Sequence, residues 1–454
     1  MNPRILLFSV SAALAGFLFG FDTVVISGAE QTIQALWNLS AGLHGAAIAS
    51  ALYGTVIGSL LGGWPTDRFG RKATLVLIGL LYCIGAAGSA LATGVAPFIA
   101  ARLIGGLGIG ISTVAVPMYI AEIAPPAYRG RLAGLFQFNI VFGIVTAYVS
   151  DALLSGLGAN AWRWMLGVAA VPSVIYTALC LGLPESPRWL IAKRGALTTA
   201  AIVLRRIRPG ASEAQLSDEV EVIREASSRS AGPAPATGAY APGSLWRRQF
   251  RVPILLAVAI AFFNQMSGIN AILYFAPRIF SLTGLAQQAA ALQSIGIGVT
   301  NLAFTFAGLW LIDRLGRRTL LYIGSFGYVM SLGLTSAAFF TGHYAVVPWC
   351  IFAFIAAHAV GQGAVIWVYI SEIFPDAHRA EGQALGSFTH WFFAALLTTF
   401  FPKLVTVCTP GGVFAFFTFM MLLQLAWVHR RMIETKGATL EQIQRRLGVA
   451  AAVS

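Results

Sequence analysis

The chain has 454 residues, of which 57% are hydrophobic and only 10% are charged. Because roughly a quarter of the residues in an ordinary soluble domain are charged, this composition argues against a soluble globular protein. The formal net charge of +13 would suit a nucleic-acid partner, but the distribution of the basic residues, given below, argues against one.

Apolar segments of about 20 residues, the length that crosses a hydrocarbon core, recur along the chain. Six precede residue 184 and six follow residue 250. Because a backbone inside lipid must satisfy its own hydrogen bonds, each segment is predicted to be a helix. The predicted spans are residues 5–27, 43–65, 73–93, 96–120, 131–153, 163–183, 252–275, 288–312, 319–340, 346–371, 382–401 and 411–430. The sequence therefore predicts an all-α membrane protein with twelve transmembrane helices.

Asp22 and Arg102 are charged residues of opposite sign inside the predicted spans of the first half. Asp22 is near one end of the first span, and Arg102 lies in the fourth. A buried charge is costly and is best explained by a partner of opposite sign. The alternative is that Asp22 only caps a helix or faces the outer interface. Because an internal partner exists, we favour function: a motion that separates the two charges would change the proton affinity of the carboxyl group.

A charged motif occurs twice, after the second and the eighth predicted spans. Asp67-Arg68-Phe69-Gly70-Arg71 returns 246 residues later as Asp313-Arg314-Leu315-Gly316-Arg317. Tyr119-Ile120-Ala121-Glu122-Ile123 returns as Tyr369-Ile370-Ser371-Glu372-Ile373 after 250 residues. Arg129 and Arg379 repeat in the same order, as do Glu185 and Glu434. Matches in one order indicate a duplicated module, and hence two pseudo-symmetric six-helix bundles.

The repeated charges predict ion pairs between helix ends on one side of the membrane. Such pairs can hold one conformation and release in another. Ordinary membrane topology is the alternative, and it explains the arginines but not the repeated acids. The predicted gate residues are Asp67, Arg68, Arg71, Glu122, Arg129, Glu185, Arg188, Asp313, Arg314, Arg317, Glu372, Arg379 and Glu434.

A long polar segment separates the two bundles. Its part 197–227 mixes apolar and charged residues and predicts short amphipathic helices, whereas residues 231–244 are rich in Gly, Pro, Ala and Ser and predict a flexible linker. The predicted organisation is an N-terminal bundle (1–183), a helical linker (184–250), a C-terminal bundle (251–430) and a tail (431–454).

The basic residues are confined almost entirely to one side of this arrangement. If both termini and the linker share a side, 26 of the 30 Lys and Arg residues lie on it. The positive-inside rule then places both termini and the linker in the cytoplasm of a multi-pass plasma-membrane protein. The basic charge thus reports topology, and no nucleic-acid partner is expected.

The seventh span contains a polar insertion, Asn264-Gln265-Met266-Ser267-Gly268-Ile269-Asn270. Ser and Gly can interrupt a membrane helix, and amides both donate and accept hydrogen bonds, as an uncharged polyhydroxylated ligand requires. Each such residue alone would more often serve helix packing. Together they predict a midplane site between the bundles. Further candidates are Gln137, Asn301, Trp367, His390 and Trp391.

These motifs resemble the sugar porter family of the major facilitator superfamily, which includes bacterial sugar–proton symporters and glucose facilitators. The resemblance rests on Gly20-Phe21-Asp22, the 67–72 and 313–318 motifs, Pro184-Glu185-Ser186-Pro187-Arg188 and the seventh-span insertion. It implies the major facilitator fold and proton coupling by Asp22 with Arg102. It also implies sugar contacts by Gln137, Gln265, Asn270, Asn301 and Trp367, in a cavity shaped by Phe19 and Tyr274.

Some residues depart from the family pattern. Asn264 stands where the family usually has a glutamine, and His390 stands where glutamine or asparagine is common. These departures leave the exact sugar open without threatening the class.

The resulting expectation is a secondary active transporter. It would import a monosaccharide, a hexose or a pentose, by proton symport through alternating access, and would work as a monomer in the lipid bilayer. Two alternatives on the same fold are a passive sugar facilitator and a polyol or inositol carrier, and a third is a non-transporting nutrient sensor. The sequence contains no metal-ligand cluster, phosphate loop or catalytic constellation, so no enzyme activity, metal or cofactor is expected.

Overall fold

The computed structural model describes residues 3–125, 128–231, 245–375 and 378–449. Within those ranges the chain is built of helices joined by short connections, and it contains no β-strand. This confirms the prediction of an all-α protein.

The first half contains eight helical segments that make six crossings. The second crossing is formed by α2, and the short α3 continues it at one end. The sixth crossing is formed by α7 and α8 together. The bounds of the eight segments are α1 Pro3–Leu36, α2 Ala41–Leu61, α3 Gly63–Phe69, α4 Arg71–Leu91, α5 Val95–Ile123, α6 Arg129–Leu154, α7 Ala161–Gly167 and α8 Ala170–Leu181.

The first helix is longer than its sequence predicts. The predicted span ends at residue 27, where polar residues begin, but α1 continues to Leu36. Glu30 and Ile33 in this extension are fully buried. The helix continues because its polar side chains find partners on other helices, which the hydropathy pattern of the first span does not reveal.

Between the two halves lie α9 Pro187–Arg194, α10 Leu197–Ile207 and α11 Glu213–Ala231. Of these helices, α10 buries Ala200, Leu204 and Ile207 and exposes its charged side chains. Beyond Ala231, the predicted flexible linker lies outside the described residues.

The second half repeats the arrangement with more interruptions. A five-residue π-helix, Ala359–Gly363, joins α17 to α18. The α-helices are α12 Arg251–Met266, α13 Ile269–Tyr274, α14 Ala276–Ser281, α15 Gln287–Leu315, α16 Arg317–Thr341, α17 Val347–His358, α18 Ala364–Ile373, α19 Arg379–Arg431 and α20 Leu440–Arg446.

The 53-residue α19 supplies two crossings. A straight helix of that length would be about 80 Å long at 1.5 Å per residue. It breaks at Thr409, whose backbone is not helical (φ 61°, ψ 158°) and which precedes Pro410. Among the described residues eleven helical segments are long and apolar enough to cross a membrane. Because the last of them turns back at Thr409, the twelve predicted transmembrane helices are present.

The two charged motifs lie at the same end of the molecule. We call this end, which carries residues 67–72 and 313–318, the basic end, and the other the opposite end. The halves meet along α2 with α19 and along α6 with α15. At the first contact the backbones nearly touch, since a Cβ atom on Gly45 would lie 1.9 Å from the carbonyl oxygen of Thr399.

Candidate functional site

A cavity of about 720 Å³ lies between the two halves. Its volume falls within the range of roughly 300–1,000 Å³ that is typical of small-molecule sites. Nine of the ten residues predicted to bind substrate line it: Phe19, Gln137, Asn264, Gln265, Asn270, Asn301, Trp367, His390 and Trp391.

The polar insertion of the seventh span interrupts the helix, as predicted. The α12 helix ends at Met266, Gly268 adopts φ +84°, and α13 begins at Ile269. A Cβ atom on Gly268 would lie 2.5 Å from the ring of Phe417, so both the backbone angle and the space require glycine. The break places amides from the end of α12 and the start of α13 on the same cavity wall.

These amides bond to one another before any ligand is present. Asn270 Nδ2 donates to Gln265 Oε1 at 2.7 Å, and Gln265 Nε2 donates to Asn264 Oδ1 at 2.8 Å. Gln265 Nε2 also lies 3.2 Å from ring nitrogens of His390. The amide groups are therefore held in place, which lowers the ordering cost of binding a ligand.

Aromatic rings complete the wall and reach across the halves. The rings of Phe19 and Trp391 are 5.4 Å apart, and His390 lies 4.6 Å from Trp391 and 5.1 Å from Trp367. Apolar ring faces beside uncharged amides suit a neutral ligand that has an apolar face and several hydroxyl groups.

The structure departs from the sequence prediction in two respects. Tyr274 is fully buried in the core and is not among the residues that line the cavity. Conversely, His358 and Gln383 line the cavity but were not predicted. His358 lies nine residues before Trp367 in an apolar span. A histidine within such a span could have marked it as a candidate cavity residue.

Asp22 and Arg102 form a buried ion pair inside the N-terminal half. Arg102 Nη1 donates to Asp22 Oδ1 at 2.7 Å, and Arg102 Nη2 donates to the backbone oxygen of Asp22 at 3.2 Å. The two residues are 6% and 2% exposed. Asp22 Oδ2 is buried and has no hydrogen-bond partner among the described residues. Thr23, the next residue, lines the cavity.

At the basic end, each half holds its own cluster of charges. In the first half Arg71 bonds to Glu122 at 2.8 and 2.9 Å and to Asp67 at 3.3 Å. The backbone amide of Arg71 donates to Glu185 at 2.8 Å. Burial raises the pKa of Glu185, although the backbone amides that donate to it, including that of Arg71, oppose the rise.

The second half repeats the cluster. Arg317 bonds to Glu372 at 2.7 and 3.1 Å and to Asp313 at 3.2 Å, and its backbone amide donates to Glu434 at 3.0 Å. The ion pairs of Arg71 and Arg317 thus each stay within their own half.

The other predicted gate residues take different positions. The guanidinium of Arg68 lies 6.0 Å from the centre of the Trp64 ring. The guanidinium of Arg314 lies 3.8 Å from the centre of the Trp310 ring. Arg188 is exposed, and Arg379 Nε donates to the carbonyl oxygen of Ser371 at 3.0 Å. The side chain of Arg129 lies outside the described part of the chain.

At the opposite end, a buried ionic bridge joins the halves. Arg278 of α14 donates to both carboxylate oxygens of Glu30 at 2.7 and 2.9 Å, and His44 Nε2 lies 2.7 Å from the same carboxylate. Glu30 and His44 are fully buried. The cavity therefore lies beneath a closed opposite end, while its lining reaches Leu60 and Gln383 toward the basic end.

Replacing Gly70 by alanine should lower the thermal stability of the protein. Gly70 has φ +99°, and a Cβ atom would lie 2.2 Å from Glu185 Oε2. Such a backbone costs a non-glycine residue about 1–3 kcal/mol, so we expect a melting temperature several degrees lower in detergent. Gly134→Ala is the control, because nothing lies within 4 Å of its Cβ position. Equal melting of the two variants would contradict the prediction.

Comparisons with known proteins agree with this architecture. The family described as "Sugar (and other) transporter" matches residues 8–447. The chain is 35% identical to the arabinose-proton symporter of Bacillus subtilis, over 97% of this chain and 94% of that protein. It is 32% identical to the D-xylose-proton symporter of Escherichia coli, over 96% and 95% of the two chains. It is also 32% identical to the glucose transporter GlcP of Staphylococcus epidermidis, over 98% of each.

Two solved structures bear on the conformation. The inward open conformation of the xylose transporter XylE from E. coli matches with a TM-score of 0.83 and 30% identity, over 97% of this chain and 99% of that chain. The same symporter bound to 6-bromo-6-deoxy-D-glucose matches with a TM-score of 0.77 and 32% identity, over 98% and 100%. The closer match is to the inward open state, in keeping with the closed opposite end.

Proposed function

This chain belongs to the sugar transporter family, and we propose that it imports a monosaccharide, a hexose or a pentose, together with a proton by alternating access. It is a multi-pass membrane transporter and not an enzyme. The arabinose, xylose and glucose transporters among its relatives match nearly the whole chain, so the proposal concerns the complete transport unit.

The observation that carries the sugar part of the proposal is the cavity wall. It combines the amides of Gln137, Asn264, Gln265, Asn270 and Asn301 with the aromatic rings described above. Hydroxyl groups of a sugar can donate to the amide oxygens and accept from the amide nitrogens. The wall has no Asp, Glu, Lys or Arg among its described residues, which favours an uncharged ligand.

The proton part of the proposal rests on Asp22 and Arg102. Their ion pair is buried and lies one residue from cavity-lining Thr23. A conformational change that moves Arg102 away would leave an unpaired buried carboxylate, which favours protonation. Sugar binding at Phe19 and proton binding at Asp22 would thus be linked through one turn of α1.

We place the basic end in the cytoplasm of the cell membrane, with both termini on that side, because most Lys and Arg residues lie there. The structure then corresponds to the state that releases sugar inward. The apolar side chains of Leu80, Ile84, Leu91 and Phe326 are exposed on the outside of the bundle and would face lipid. One chain supplies the cavity and both ends, so the proposed working unit is a monomer.

Uptake into proteoliposomes tests this function. Labelled arabinose, xylose, glucose and inositol would be supplied with and without an imposed pH gradient, acidic outside. We expect at least one pentose or hexose to accumulate above its external concentration only with the gradient. If none of the four compounds enters the proteoliposomes, the proposed substrate class is refuted. Entry that stops at equal concentrations in both conditions would refute proton coupling and indicate a passive facilitator.

A further inference from the structure

Three buried polar side chains behind the cavity wall continue the chain of site amides. We propose that Gln362, Gln424 and Ser325 are positioning residues, which fix the orientation of the amides that face the sugar. This inference rests on the proposed function, because amide orientation matters only for a ligand that offers hydroxyl groups. None of the three lines the cavity, so they would act through Asn264, Gln265 and Asn270.

The contacts run without a gap from the wall into the C-terminal bundle. Asn264 Nδ2 lies 3.5 Å from Gln362 Oε1, which is the longest link. Gln362 Nε2 donates to Gln424 Oε1 at 2.8 Å, and Gln424 Nε2 donates to Ser325 Oγ at 2.7 Å. Gln362, Gln424 and Ser325 are each 0% exposed. Burying these groups is costly unless they bond to one another, so the links hold their geometry.

The backbone is adapted to bring these side chains together. Gln362 lies in the π-helix that interrupts the tenth crossing, and such wide turns occur frequently at functional sites. Beside it, a Cβ atom on Gly324 would lie 2.9 Å from Gly361 Cα. This close approach places Ser325 of α16 next to the π-helix, while Gln424 reaches both from the second part of α19.

The donors in this chain point in one direction. An amide oxygen only accepts and an amide nitrogen only donates, so each member dictates the orientation of the next. Asn270 donates to Gln265, Gln265 to Asn264, Asn264 to Gln362, and the series ends at Ser325. Within this series each amide nitrogen therefore donates to the next member, and Gln265 Nε2 in addition lies 3.2 Å from ring nitrogens of His390.

This direction has a chemical consequence at the cavity. Asn270, the first member, commits one N–H of Nδ2 to the bond with Gln265. Its Oδ1, which accepts no bond within the series, is left for the ligand. The hydrogen-bonded series thus presents Asn270 Oδ1 as an acceptor to one sugar hydroxyl. The reverse orientation would present a donor at the same point and would favour a different ligand group. Gln362, Gln424 and Ser325 would in this way contribute to selectivity without contacting the sugar.

Substitutions at the far end of the chain test the proposal. Gln424→Met keeps similar volume but cannot hydrogen-bond, and Ser325→Ala removes the terminal acceptor. Ser331→Ala is the matched control, because Ser331 is also buried in α16 but donates to the carbonyl of Gly327 in its own helix. The readout is the Kd of purified protein for the sugar that the wild type transports. We expect Gln424→Met and Ser325→Ala to raise it about tenfold, the effect of one net hydrogen bond.

A merely structural role would not produce the next two results. Among monodeoxy analogues of the transported sugar, one should bind wild type and Gln424→Met equally, because it lacks the hydroxyl that meets Asn270. The double variant Asn270→Ala with Gln424→Met should bind no more weakly than Asn270→Ala alone, since residues in one network are not additive.

Three results would overturn the inference. They are a wild-type Kd in both Gln424→Met and Ser325→Ala, equal effects of Ser325→Ala and Ser331→Ala, and losses that multiply in the double variant. If Gln424→Met does not fold, the comparison of Ser325→Ala with Ser331→Ala still tests the proposal. A wild-type protein that binds no sugar would instead refute the proposed function, so the two failures are distinguishable.

Discussion

Replacing Asp22 by asparagine should abolish proton-driven accumulation of sugar while sparing sugar exchange across the membrane. Asparagine has nearly the same shape, and its Oδ1 can still accept from Arg102, as the carboxylate does at 2.7 Å. It cannot take up a proton, however. One proton per sugar can drive about tenfold accumulation for each pH unit of gradient. We expect this ratio to fall to one in the variant.

The measurement compares two assays in the same proteoliposomes. Concentrative uptake is followed under an imposed pH gradient, and exchange is followed with unlabelled sugar inside and labelled sugar outside. Asp151→Asn is the control, because Asp151 is also buried in the N-terminal half but accepts a bond from the backbone amide of Gly28 and pairs with no arginine of the described residues. We expect Asp151→Asn to accumulate sugar. Accumulation by Asp22→Asn to the same level would disprove the coupling role.

Replacing Arg278 by methionine should shift the resting protein toward a state that is open at the opposite end. Arg278 makes two bonds to Glu30 and so ties α14 of the C-terminal half to α1 of the N-terminal half. Removing one partner of a buried charge pair costs roughly 2–5 kcal/mol. The buried Glu30 carboxylate, left with His44 as its partner, would recover its hydration if the halves separated there. We expect the ratio of outward-open to inward-open molecules to rise at least tenfold.

Spin-label distances across the opposite end measure this shift. One label would be placed at a cysteine that replaces exposed Ser40 and the other at exposed Cys408, which lie on different halves. The other three cysteines would be replaced. Arg163→Met is the matched control, because Arg163 bonds to the carbonyl of Ala90 in its own half. We expect a longer-distance population only in Arg278→Met. In the double variant Glu30→Gln with Arg278→Met no charge remains unpaired, so a smaller shift is expected.

Unchanged distances in Arg278→Met would show that the bridge does not hold this end closed. The same conclusion would follow if Arg163→Met and Arg278→Met gave equal shifts, since a general loosening of the fold would then explain both.

Much of the fold and part of the site are predictable because their signals are local. Twelve apolar spans, the interruption at Gly268 and the short linker helices each follow from a stretch of fewer than about 30 residues. The duplicated motifs add longer-range information, because residues that repeat in register, such as Arg71 and Arg317, occupy equivalent places. The roles assigned to the gate and substrate residues nevertheless remain predictions.

The missed ionic bridge and buried amide series depend on pairs of residues that no local pattern connects. Glu30 and Arg278 are 248 residues apart, and hydropathy alone places Glu30 beyond the first span. Gln362 and Gln424 each lie in an apolar segment as an isolated polar residue, and only the packing of α16, α19 and the π-helix brings them together. Tyr274 was assigned to the cavity by resemblance, whereas its side chain is buried in the core.

The separation of the two charge clusters at the basic end has a consequence for how this architecture can be recombined. Arg71 pairs with an acid of the N-terminal half, and Arg317 pairs with an acid of the C-terminal half. A chimera that joined the N-terminal half of this chain to the C-terminal half of a related transporter would keep the first cluster intact. The Glu30 bridge, in contrast, spans the junction. At the opposite end, compatibility between exchanged halves would therefore depend on whether the foreign half supplies an arginine for Glu30.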